Sequence, residues 1–183
     1  MKDHQTVRST AGILTPDIIK LFFTDHINRL YCSKSYLIEK LAGLIGLVVL
    51  PDLKYALTET IEELRIQVAR MAEIYELLMI THSSDGLQDI IAFSEKAFST
   101  IPQYDQPEIR DLAILLYLLH AKSMELAPLR TLGLLAGYLQ NDRVIQILEE
   151  TAEEVKTDLA LISMIAFQHI KTIRNEYKGE IPE

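Results

Sequence analysis

One cysteine, Cys32, and no tryptophan occur in this 183-residue chain. A lone thiol excludes an intrachain disulfide, so nothing covalent staples the fold. Aromatics are only 7% of the residues, which leaves Leu, Ile, Ala and Val to build the core, as helix-on-helix packing prefers. Positive charge is scarce as well. The net charge is -8 and no basic stripe occurs, which argues against nucleic-acid binding. The longest uninterrupted apolar stretches, Leu41–Leu50 and Leu112–Leu119, fall short of the roughly 18 to 20 residues that span a bilayer, so no membrane association is expected. Met1–Gly12 is polar and carries no signal-peptide core, and the expected location is cytoplasmic. No phosphate-binding Gly loop and no suggestive Ser-His-Asp order is present. Cys32 falls mid-helix, where a packing role is expected rather than a nucleophile.

What the chain does have is apolar content, 49%. That is the upper end for one domain, and it suggests a second buried surface, as in a homodimer. Its arrangement is helical. Thr15-Pro16-Asp17 reads as a capped helix start. A first helix then places Phe23, Ile27, Leu30, Lys34, Leu37, Leu41, Leu44 and Val48 at steps of four and three, the seam of a bundle helix. Leu50-Pro51-Asp52 restarts the chain. A second helix carries Leu53, Ala56, Thr60, Glu63, Gln67, Met71, Ile74 and Leu78, and the short link makes the pair antiparallel. A short helix over 86–98 and a loop over 99–106 form a longer crossover.

A third helix begins at Pro107, with Leu112, Leu115, Leu119, Lys122, Leu126, Leu129, Gly133 and Ala136 inward. Pro128 predicts a kink, and Gly133 and Gly137 suggest close helix approach. A fourth, capped by Asn141 or Asp142, carries two adjacent stripes. One includes Leu148, Ala152, Val155, Ile162 and His169; the other includes Thr151, Glu154, Asp158 and Ile165. No strand-like alternation competes. The expected fold is all-α, a ferritin-like antiparallel four-helix bundle over 15–176 with a short extra helix in the crossover. A flexible arm (1–14) precedes it and a C-terminal tail (177–183) follows.

The informative residues are the polar ones on the apolar stripes: Lys34, Glu63, Gln67, Lys122, Glu125, Glu154 and Asp158, with Thr60, Glu62 and Thr151 nearby. All fall near mid-helix, so an antiparallel bundle brings them to one level. Buried charge must be paired or solvated. A di-metal bundle needs a Glu from each of two helices and Glu-x-x-His from each of the others. None of the five histidines follows a Glu by three, and His169 on the inner stripe reads as a hydrogen-bonded core residue. No metal or other cofactor is expected. The alternative is an oxygen-only site of Glu63, Glu125, Glu154 and Asp158 holding two Fe or Mn ions. The charge count favours a network in which Lys34 and Lys122 sit between Glu63 and Glu154 and take the place of metal.

Four stretches in order, LFFTDHINRLYCSKSYLIEKL, PDLKYALTETIEELRIQVARMAEIYELL, SMELAPLRTLGLLAGYL and VIQILEETAEEVKTDLALI, resemble the YciE/YciF family of bacterial ferritin-like, stress-associated proteins. The resemblance runs from about Asp17 to Ile170 and marks a divergent member. It implies a four-helix bundle with an added short helix, and a homodimer. Some members look like di-metal proteins of ferroxidase type. Carried over by position, the family's first-helix and third-helix Glu fall on Lys34 and Lys122. Its other acids are kept as Glu63 and Glu154, a His or Gln falls on Gln67, and an Ala is replaced by Pro128. The expected function is a non-catalytic, stress-related bundle protein acting by self-association or through a protein partner. The alternatives are a ferroxidase-like or metal-storage protein, and a ligand carrier using space around Pro128.

Overall fold

The structure, a computed structural model, describes residues 15–83 and 88–179. The expected arm, the start of the short helix and residues 180–183 of the expected tail lie outside the described residues. Five α-helices follow one another: α1 Pro16–Leu44, α2 Pro51–Leu78, α3 Gln88–Thr100, α4 Pro107–Ala136 and α5 Asp142–Gly179. There is no strand among the described residues. The third and fourth long helices read from the sequence are α4 and α5.

Helix starts follow local chemistry. The Thr15 side chain accepts from the Ile18 N–H at 3.4 Å, with Pro16 in the first turn. Asn141 caps α5 by accepting from the Val144 N–H at 3.1 Å. The start of α2 is different, because Leu50 has no capping side chain. Its work is done by a distant residue. Asp111 of α4 is buried and accepts from the Leu50 N–H at 2.7 Å and the Val49 N–H at 3.1 Å. Orphan amides at a helix N-terminus are thereby satisfied from across the bundle.

The side-chain pairs define the topology. Asn28 meets Tyr75 and Lys34 meets Gln67, so α1 and α2 are antiparallel. Lys34 with Glu125 and Val49 with Asp111 make α1 and α4 antiparallel. Lys122 with Asp158 and Glu108 with His169 do the same for α4 and α5, and Glu73 with Arg143 for α2 and α5. The helices therefore stand in a ring α1–α2–α5–α4. This is an antiparallel four-helix bundle of ferritin-like type. The successive long helices α2 and α4 are diagonal and parallel, so the connection between them must run the length of the bundle, and α3 lies on that path.

The core is two apolar clusters. One gathers Leu37, Leu41, Leu53, Leu57, Leu64, Leu115 and Ile162. The other gathers Phe23, Ile27, Met71, Ile74, Leu129, Val144 and Leu148. Every residue of the first-helix line from Phe23 to Val48 is buried. The third-helix line needs correction. Leu112, Leu119, Leu126 and Gly133 are only half-buried, and Ile114, Leu118, Glu125 and Leu132 are buried in their stead. Alternation of threes and fours cannot choose a face on a helix that is apolar around most of its circumference.

α4 continues as one helix on both sides of Pro128. Other local readings shift. A Cβ at Gly133 would meet Leu148 Cβ at 3.9 Å, and one at Gly137 would meet nothing within 4 Å, so neither glycine is needed for close approach. The loop read over 99–106 is partly helical: α3 reaches Thr100, and a 3-10 turn follows at Ile101–Gln103. The segment Pro107–Leu139 is the one helix among the described residues long and apolar enough, by length and composition, to cross a membrane. It behaves as a core helix of the bundle, because its Asp111, Lys122 and Glu125 are buried and partnered within the chain. Asp111→Ala is expected to lower unfolding stability by about 1–3 kcal/mol, the cost of leaving buried donors unmet. Urea denaturation followed by circular dichroism checks this; an unchanged midpoint would show that water replaces the carboxylate.

Candidate functional site

Between the two apolar clusters lies a polar layer drawn from all four long helices. Lys34 of α1 is fully buried (0% exposed) and Lys122 of α4 nearly so (1%). The Lys34 ammonium donates to Glu125 Oε2 at 2.6 Å and to Gln67 Oε1 at 2.7 Å. The Gln67 amide in turn donates to Glu154 Oε2 at 3.1 Å, and Arg70 donates to Glu154 Oε1 at 2.6 Å. One connected chain, Glu125–Lys34–Gln67–Glu154–Arg70, thus crosses from α4 through α1 and α2 to α5. A second runs from Lys122 to Asp158, its ion-pair partner on α5, and on to Glu63 of α2.

This corrects the pairing expected from the sequence. Neither lysine forms its ion pair with Glu63 or Glu154. Lys34 takes Glu125, and Lys122 takes Asp158. Ring order disfavours two of those pairs, because α5, which carries Glu154, is diagonal to α1, and α2, which carries Glu63, is diagonal to α4. Glu154 is half-buried and answers to Arg70, a residue not singled out in the sequence because it lies beside the apolar stripe rather than on it. Glu62 is exposed and pairs with Arg65. Thr151 is buried and donates to the Ile147 carbonyl at 2.7 Å.

The electrostatics follow from burial. Desolvation lowers the Lys34 pKa, the Glu125 carboxylate opposes that, and the Lys122 charge adds to it. Burial pushes Glu63 up to about 7, assisted by a hydrogen bond to Asp158 and by its negative charge, with Lys122 pulling the other way. Two carboxyls can hydrogen-bond only if one keeps its proton, and the raised carboxyl is that of Glu63. The centre then balances: Lys34 against Glu125, Lys122 against Asp158, Arg70 against Glu154, and Glu63 neutral. Two buried oxygens, Glu63 Oε2 and Glu125 Oε1, have no hydrogen-bond partner.

These residues do not fit two divalent cations. Three of the four candidate carboxylates already bind a side-chain cation, and two ammonium groups occupy the middle of the bundle. Among the described residues, no three His, Cys, Asp or Glu side chains form a group that could hold a metal. His169 donates from Nε2 to the Glu108 carbonyl at 2.8 Å. Cys32 Sγ lies 3.4 Å from His82 Nε2, and burial raises its thiol pKa, so it is a poor nucleophile at neutral pH. Tyr31 packs edge-on against Tyr75, and Tyr36 against Phe98.

The fold and this layer define a ferritin-like bundle whose mid-level acids are neutralised by side chains. The chain belongs to the family described as "Domain of unknown function (DUF892)", which matches residues 20–174. Among solved structures, it is similar to the Escherichia coli stress protein YciF, at 22% identity and TM-score 0.77, covering 84% of this chain and 97% of that one. It is also similar to YcfI of Rhodopseudomonas palustris, at 22% identity and TM-score 0.71, covering 84% and 96%. No curated protein sequence matches it.

Two outcomes test the layer. Lys34→Met leaves Glu125 buried without its cation and is expected to destabilise by about 3–5 kcal/mol. Adding Glu125→Leu should recover most of the loss in denaturant titrations, whereas a neutral single variant would show the pair to be idle. Glu63 holds its proton more tightly folded than unfolded, so stability must fall as pH rises from its ordinary 4.5 to about 7. Glu63→Gln is expected to flatten that fall and to exceed the parent in melting temperature at pH 8. An identical pH profile for both proteins would count against the raised Glu63 carboxyl.

Proposed function

We propose that this chain is a non-catalytic, stress-associated bundle protein of the cytoplasm that works as a homodimer, its di-metal site replaced by a lysine–carboxylate network. The observation that carries this reading is the sealing of both ammonium groups in the bundle centre, each on a carboxylate. Positive charge that two metal ions would supply is supplied by Lys34 and Lys122, with Arg70 completing the balance at Glu154. A network of this kind fixes helix register more reliably than it adds stability.

Support for the stress association comes from the likeness to YciF, which is described as a stress protein. Support for self-association comes from large apolar side chains left exposed on α4 and α5. Leu116 and Leu134 of α4, and Met164 and Phe167 of α5, are exposed, and such residues are ordinarily covered when copies of a bundle pair. Native mass spectrometry of the purified chain reads both points at once. A dimer mass with iron and manganese well below one ion per chain is the expected result, together with iron(II) oxidation no faster than in buffer. Stoichiometric metal with rapid oxidation would overturn the assignment in favour of a ferroxidase-like protein, and a monomer would remove the self-association.

A further inference from the structure

A cavity of about 470 Å³ opens between α1 and α4 beside Pro128. We propose that it binds a small, neutral, largely apolar molecule through one hydroxyl group donated to acceptors on its wall. The volume is in the range of small-molecule sites, roughly 300–1,000 Å³. Leu30 of α1 and Tyr117, Ala121, Met124 and Pro128 of α4 make most of the wall apolar, and Ser94 of α3 lies at one side. Tyr117 and Ser94 hydrogen-bond each other, so they mainly contribute shape.

Two acceptors belong to residues of this wall, one that Pro128 cannot serve and one on Glu125. Pro128 has no N–H to give to the carbonyl of Met124, four residues before it, so that carbonyl lacks its helical donor. Met124 and Pro128 both line the cavity. Glu125, also a lining residue, is 4% exposed; its Oε2 is taken by Lys34, and its Oε1 is buried without a partner. Unmet acceptors in an apolar wall select a ligand that brings a donor, because leaving them unmet costs free energy.

Charge narrows the class. A cationic ligand would meet Arg29 on the wall, with the Lys34 ammonium behind Glu125. An anionic one would meet the Glu125 carboxylate. A neutral alcohol or phenol meets neither objection. The site shares only Glu125 with the ion-pair layer. Its case rests on Pro128 and the cavity, not on the absence of metal.

The probes are 4-propylphenol, propylbenzene, 4-propylbenzoate and 4-propylbenzylamine, titrated into the full chain and followed by amide NMR shifts. Binding of 4-propylphenol with shifts around Ala121 and Pro128 is expected, with propylbenzene about tenfold weaker for want of the hydroxyl and both charged analogues weaker still. Ala121→Trp fills the cavity and should abolish binding while the helical circular dichroism persists. Pro128→Ala returns an N–H to the Met124 carbonyl; it should raise the melting temperature and weaken 4-propylphenol several-fold. Absence of binding by 4-propylphenol, equal affinity for propylbenzene, or affinity unchanged in both variants would overturn the proposal.

Discussion

The ion pair between Lys34 and Glu125 constrains the rest of this molecule. An ammonium with no exposed surface must keep a carboxylate within hydrogen-bond distance, because an unpaired charge in that position costs several kcal/mol. That requirement holds α1 and α4 in one register. It also orients Gln67, whose carbonyl must face the Lys34 ammonium and whose amide therefore faces Glu154. Apolar residues above and below the layer could slide by a turn and still pack. The charges could not, and the two apolar clusters are consequently fixed on either side of them.

The layer also shows how carboxylates gathered at mid-bundle are balanced by side chains of the same chain. Carboxylates gathered at one level repel one another unless positive charge is brought among them. Lys34, Lys122 and Arg70 bring it as side chains, and burial raises the pKa of the Glu63 carboxyl. This balance is sensitive to pH through Glu63, whose carboxyl pKa is raised by burial to about 7. The same packing that seals the layer leaves a gap where Pro128 interrupts the amide ladder of α4, so one proline relates the helix's local chemistry to the cavity beside it.

Much of the fold is legible locally. The line from Phe23 through Lys34 to Val48 is buried throughout, because on a helix with one apolar face periodicity and burial are the same information. Thr15-Pro16 and Asn141 act as caps through neighbours within a turn. Legibility fails where the deciding partner is remote. Nothing near Asp111 in the chain shows that it completes the start of α2, some sixty residues earlier. On α4, apolar residues surround the helix, and the line through Leu112 and Leu119 was as periodic as the one actually buried through Leu118 and Leu132.

The candidate site divides along the same boundary. Composition and spacing alone determined that this is an all-α bundle and that Lys34, Glu63, Gln67, Lys122, Glu125, Glu154 and Asp158 share a level, since both follow from rise per residue and from where polar groups interrupt apolar stripes. Which acid meets which lysine was decided only by tertiary structure. Partnership depends on whether two helices are neighbours or diagonal in the ring, and a linear chain with a long crossover is compatible with either order. Arg70 entered the layer, and Glu154 moved to its edge, for the same reason: the rotation of each helix about its own axis is set by its neighbours.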